Sequence, residues 1–195
     1  ALQGGVDWSH PDGWSLGAWA SNVSAGLYPG GSLELDLYGG HTQKWSDELS
    51  TTVGLYGYVY PGANARKAAA GGPSQSYQTL EAYAGVTWRM FSYKLSVSTG
   101  DYFGANRQTG YAGGTRGTRY HDLSVDWPVD TGWKLQAHLG RTQVAARLGS
   151  VSADYTDWRV GVVRDLTSLC SGCSASLAVV GANRDDLFRL ASAQT

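Results

Sequence analysis

The chain has no long apolar run. Nowhere in its 195 residues does it approach the roughly 18 consecutive apolar residues that a transmembrane helix needs, so a helical membrane protein is excluded. It also lacks an excess of charge of either sign. With 15 Lys and Arg against 16 Asp and Glu and a net charge of −1, there is no basic footprint for nucleic acid and no acidic tail. No signal peptide precedes the strand-like pattern that starts at Ala1, so the chain reads as mature or trimmed. Cysteine is confined to Cys170 and Cys173. H-x-E and H-E-x-x-H do not occur, and His10, His41, His121 and His138 are scattered.

Glycine, at 27 residues, and aromatics, at 12%, are abundant. A transmembrane β-strand needs only about 9 to 11 residues with every second one apolar. A mean hydropathy of −0.27 is therefore neutral evidence.

The stretch from Tyr120 to Gly140 sets the pattern for the rest. His121, Leu123, Val125 and Trp127 alternate with Tyr120, Asp122, Ser124 and Asp126; Trp133, Leu135, Ala137 and Leu139 alternate with Lys134, Gln136, His138 and Gly140. A period of two means strands. Pairing Trp127 with Trp133 across a Pro128 to Gly132 turn puts Val125 opposite Leu135, Asp126 opposite Lys134 and Asp122 opposite His138. Two indoles then sit on the apolar face at the turn end, a placement that a membrane-facing strand explains better than a soluble one.

The same alternation recurs along the chain. It runs from Leu2 to Trp8 and Trp14 to Ala20, from Leu33 toward Trp45, and from Leu49 to Tyr60 with a Tyr56, Tyr58, Tyr60 ladder. It continues from Leu80 to Trp88, Phe91 to Val97, Asp154 to Arg164 and Ser174 to Ala182. That predicts ten strands. Short turns at 9–13, 46–48, 89–90, 128–132 and 166–173 alternate with longer loops at about 24–31, 61–76, 102–117 and 144–153 and beyond 183. The 61–76 loop, rich in Gly, Ala and Ser, reads as mobile.

The expectation is an all-β, up-and-down antiparallel transmembrane β-barrel, a single domain over 1–195, with short turns at one end and long loops at the other. Trp8, Trp14, Trp45, Trp88, Phe91, Trp127 and Trp133 flank the short turns on the apolar face. They form an aromatic girdle at one interface. The first strand runs into a short turn and the last runs out of one, so one strand is expected before Ala1 and one after Thr195, giving about 12 in the complete barrel.

ALQGGVDWSHPDGW, WASNV, SLELDLYGG, DYFG, YHDLSVDWP, GWKLQAHLGR and DYTDWRVGV resemble the TorF-like family of proteobacterial outer-membrane porins, catalogued as conserved proteins of unknown function. The likeness runs from Ala1 to about Val163. It implies a signal peptide, an outer-membrane barrel and a strand ahead of Ala1, and no established substrate. The CSGC turn and the segment after Asn183 are not part of it.

If the apolar face meets lipid, the lumen carries Asp7, Glu34, Asp36, Glu81, Asp122, Asp126 and Asp157 against Lys94, Lys134, His138 and Arg159. Acids outnumber bases, which predicts a pore that weakly favours cations; the alternative is that these groups pair across strands and plug a narrow barrel. Cys170 and Cys173 are expected as a local disulfide, because C-x-x-C has neither a βαβ context nor a second ligand pair. His138, Asp122 and Ser124 can be drawn as a hydrolase triad, but parity puts all three on the lumen face and no oxyanion hole is evident. Strand glycines such as Gly85, Gly140 and Gly161 are expected beside lumenal aromatics.

The expected function is a passive outer-membrane pore for small polar or cationic solutes, working in outer-membrane lipid and lipopolysaccharide. No enzyme activity, metal, cofactor or nucleic acid is expected, and a homo-oligomer is compatible but not readable. The alternatives are a closed, non-conducting barrel with structural or loop-mediated roles, a soluble lipocalin-type barrel, and a barrel enzyme.

Overall fold

Ten alternating stretches become ten strands: β1 (Gln3–Ser9), β2 (Trp14–Asn22), β3 (Leu33–Lys44), β4 (Leu49–Val59), β5 (Thr79–Trp88), β6 (Phe91–Ser98), β7 (Arg119–Asp130), β8 (Trp133–Gln143), β9 (Tyr155–Asp165) and β10 (Ser174–Ala182). The computed structural model describes residues 2–184. Ala1, where the family likeness begins, and residues 185–195, which hold most of the loop expected beyond 183, lie outside the described residues. The strands form one sheet in sequence order, each antiparallel to the next. β1 and β10 do not pair with each other, so the sheet is open.

Connections alternate as the sequence suggests. Short ones span 10–13, 45–48, 89–90, 131–132 and 166–173; long ones span 23–32, 60–78, 99–118 and 144–154. The tightest turns use left-handed backbone: Arg89 has φ 54° and Gly132 has φ 76°, the region where glycine is comfortable and arginine is not.

The β7–β8 register differs from the expected one. Trp127 pairs with Leu135, Asp126 with Gln136, Ser124 with His138 and Asp122 with Gly140, while Trp133 pairs with Asp130. β7 runs on through Pro128, whose missing N–H is accommodated at a register shift between Pro128 and Asp130. The turn shrinks to Thr131 and Gly132. Because the register slips by two residues, every side chain keeps its face.

The two faces are inverted relative to a soluble globule. Among the described residues the buried apolar ones are only Tyr60, Ala63, Ala105 and Ala153, whereas Asp36, Thr79, Glu81, Ser96, Ser98, Thr115, Thr118 and Thr142 are buried polar ones. Thirty large hydrophobics among the described residues stay exposed, Trp45 at 64% and Leu16 at 61% among them. All seven girdle residues are exposed. Arg89 lies over the Trp88 ring at 5.2 Å and Arg164 over Trp133 at 5.0 Å, so cations sit beside the belt at the short-turn end. No helix among the described residues is long and apolar enough to cross a membrane.

The polar face is concave: residues from β4, β5, β7 and β9 line one cavity. The 99–118 loop rests against its rim. The Phe103 N–H donates to Thr79 Oγ1 (2.7 Å), and the Phe103 ring packs on Tyr58 at 5.1 Å. Phe103 has φ 48°, a left-handed conformation that persists only where packing holds it. The 60–78 loop, read as mobile from composition, is pinned by Asn64 N–H to Pro29 O (2.9 Å) and Ala65 N–H to Gln75 O (2.8 Å).

Candidate functional site

Alternation puts every predicted lumen residue on the concave side, but the two halves of the sheet treat their charges differently. On β1–β5 the acids meet tyrosines: the Tyr38 hydroxyl donates to Asp7 Oδ1 (2.6 Å), the Tyr56 hydroxyl to Asp36 Oδ2 (3.0 Å), and Glu34 lies near the Tyr60 hydroxyl. Asp36 is 5% exposed and its second oxygen has no partner. Glu81, 6% exposed, accepts no hydrogen bond among the described residues.

On β6–β9 acids meet bases. Lys134 Nζ is 3.2 Å from Asp126 Oδ2, and Gln136 Nε2 donates to Asp126 Oδ1 (2.9 Å). Arg159 donates to Gln136 Oε1 (3.0 Å). His138 stands between two carboxylates, with Nδ1 3.0 Å from Asp122 Oδ1 and Nε2 2.9 Å from Asp157 Oδ1. Lys94 Nζ reaches Asp122 at 4.0 Å. Negative charge without a basic partner is therefore concentrated on the tyrosine wall.

That wall is a continuous series of rings. Tyr38 stacks on Tyr56 at 5.0 Å and Tyr60 on Tyr28 at 4.0 Å, while Tyr58 meets Tyr56 at 4.6 Å and Phe103 at 5.1 Å with tilted rings. At the long-loop end the rings border a cavity of about 720 Å³, whose 15 lining residues include seven tyrosines with Glu81 and Asp157. Burial pushes the loop hydroxyls of Tyr28, Tyr60, Tyr77, Tyr102 and Tyr111 above the ordinary tyrosine range. They remain neutral donors at any ordinary pH.

The sequence missed this cavity. Tyr28, Tyr77, Tyr102 and Tyr111 stand on loops, where alternation says nothing about direction, and the one legible signal was the total of 12 tyrosines. Trp19 was missed as well: it lies opposite Asp36 on the concave face.

Other expected features divide. Asp122, Ser124 and His138 come together, but Ser124 Oγ donates to Asp122 (2.7 Å) and both residues face Nδ1. A serine nucleophile needs the nitrogen opposite the aspartate, and here that nitrogen meets Asp157 and Tyr120. Cys170 and Cys173 are joined as a disulfide. Among the described residues no three His, Cys, Asp or Glu are placed to hold a metal ion.

A Cβ on Gly140 would fall 2.2 Å from the Tyr120 hydroxyl, so this glycine does make room for a ring. Gly85 and Gly161 do not: their nearest neighbours are the Tyr93 carbonyl at 3.2 Å and Ala178 Cβ at 2.9 Å. Other glycines with that role include Gly17, beside Tyr38, Gly40 and Gly54, beside Tyr83, and Gly5, beside Trp19. Parity finds the face of a glycine but not which ring leans over it.

No curated protein and no solved structure matches the chain. A family model described as "Bacterial protein of unknown function (Gcw_chp)" matches residues 1–194, and the chain belongs to that family.

Proposed function

We propose that this protein is an outer-membrane β-barrel acting as a passive pore for small polar or cationic solutes. The observation that carries the reading is the inversion of the faces: charged and hydroxyl side chains such as Asp36, Glu81 and Thr142 are buried while thirty large hydrophobics among the described residues are exposed. Lipid, not water, solvates such an outer face. A lipocalin-type barrel would carry those apolar side chains inside. The likeness of several strings to TorF-like porins supports the same assignment. In lipid the free edges of β1 and β10 need partners, which closure into a barrel supplies. The uncompensated acids of the tyrosine wall make the lumen attract cations. The reading requires no covalent step.

A closed, non-conducting barrel is the second reading. The inward-resting 99–118 loop and the pairing of Asp122, Asp126 and Asp157 with basic or hydrogen-bonding partners favour it.

Planar-bilayer conductance of the full-length mature protein under a salt gradient separates the two. The pore gives discrete steps with a cation-selective reversal potential, and Glu81→Ala lowers that selectivity. A barrel that is demonstrably inserted yet silent overturns the pore and moves attention to the loops.

A further inference from the structure

We infer that the cavity at the long-loop end is a binding site for a small organic cation, with the Glu81 carboxylate as its counter-ion and tyrosine faces as its wall. The inference goes beyond the pore reading, because a bound ligand requires no current.

A cavity of about 720 Å³ is within the usual range for small-molecule sites. Its wall is aromatic, with Tyr28, Tyr58, Tyr102 and Phe103 among its lining residues. Ring faces carry the negative part of the aromatic quadrupole, so they attract an ammonium group that has been stripped of water. The acids supply the rest. Asp157 is already engaged by His138 at 2.9 Å and by the Tyr120 hydroxyl at 3.1 Å. Glu81 is the one left over: it lines the cavity, is 6% exposed, and accepts no hydrogen bond among the described residues.

Among the described residues the fully buried unpartnered oxygens are those of Asp36 and Thr142, so the Glu81 carboxylate, on a residue only 6% exposed, opens onto the cavity it lines. It is poorly solvated there, and a ligand that brings a positive charge relieves that cost. Lys94 acts on Glu81 electrostatically, but its ammonium turns to Asp122 at 4.0 Å and is not among the cavity's lining residues. Those lining residues include no Lys, Arg or His, so nothing there competes with an incoming cation.

The preference for a cation over a neutral sugar rests on this charge. Carbohydrate also stacks on aromatic faces, but its hydroxyls gain little from a carboxylate whose cost lies in its charge. The loop hydroxyls stay neutral, so they offer hydrogen bonds without repelling an ammonium group.

The test is calorimetric titration of the full chain in detergent micelles with choline, with its uncharged carbon isostere 3,3-dimethylbutan-1-ol, and with maltose. Choline is expected to bind at least about tenfold more tightly than the isostere, while maltose gives no saturable heat. Glu81→Gln is expected to remove most of that difference, and Asp126→Asn, whose carboxylate is paired at the opposite end, to leave it unchanged. Equal affinity for choline and its isostere, silence toward choline, or saturable binding of maltose alone each overturns the inference. The comparison of the two isosteres uses unmodified protein, so it stands even if Glu81→Gln fails to fold. A silent planar bilayer together with choline binding would sink the pore and leave this site in place.

Discussion

Gly17 shows how little room the concave face leaves. A Cβ there would fall 2.1 Å from the Tyr38 ring and 2.6 Å from Asp7 Oδ1, and that ring is held by its hydrogen bond to Asp7 and its stacking on Tyr56. Gly17→Ala is expected to cost about 1–3 kcal/mol. Gly4→Ala, where nothing lies within 4 Å of the added carbon, should change stability by less than about 1 kcal/mol. Urea unfolding of the two variants in the same lipid checks this, and equal midpoints would show that Tyr38 moves aside freely. His138 offers a second test, because its ring separates Asp122 from Asp157. His138→Ala leaves two partly buried carboxylates facing each other and is expected to destabilise by about 1–3 kcal/mol. An unchanged unfolding free energy would mean that Ser124, Lys94 and Tyr120 suffice to satisfy them.

At the scale of the element, strands and loops were not equally legible. Period two located all ten strands and the face of each residue, because the apolar and polar faces of the sheet put opposite chemistries on alternate side chains. The β7–β8 register was misread, since Pro128 looked like the start of the turn and instead sits at a bulge. Loop tyrosines were beyond reach, since their direction comes from packing such as the Tyr28–Tyr60 stack at 4.0 Å. Those loops carry a pH prediction. Burial raises the hydroxyls of Tyr28, Tyr60, Tyr77, Tyr102 and Tyr111 above an unfolded value of about 10. Above that pH the unfolded chain loses these protons more readily than the folded one. Their contribution to stability is thus complete below about pH 10 and falls as pH rises further. Absorbance titration of tyrosinate is expected to show a lagging group that ionises only on unfolding. If all 12 tyrosines ionised together near pH 10 in folded protein, the cavity wall would be open to water.

At the scale of the whole molecule, the decisive property is which face meets which solvent. The girdle residues Trp8, Trp14, Trp45, Trp88, Phe91, Trp127 and Trp133 are all exposed at one end of the sheet, whereas Trp19 lies on the concave face opposite Asp36. Reconstituted variants that keep a single tryptophan test the assignment with brominated lipids. Trp127 is expected to be quenched most by bromines near the headgroup and Trp19 to escape quenching. Strong quenching of Trp19, or none of Trp127, would overturn the assignment of the lipid face.

Alternation, turn spacing and the position of the indoles were determined by the sequence alone, because each depends on neighbours one or two residues away. Strand count, order, facing and the inverted polarity follow from them. Only the tertiary structure decided that Glu81 accepts no hydrogen bond among the described residues while Asp122 and Asp157 share His138. It alone gathered seven tyrosines from strands and loops around one cavity. Those outcomes depend on the curl of the sheet and on how the 99–118 loop packs against Tyr58 and Thr79. Contacts between residues so distant along the chain leave no period to read.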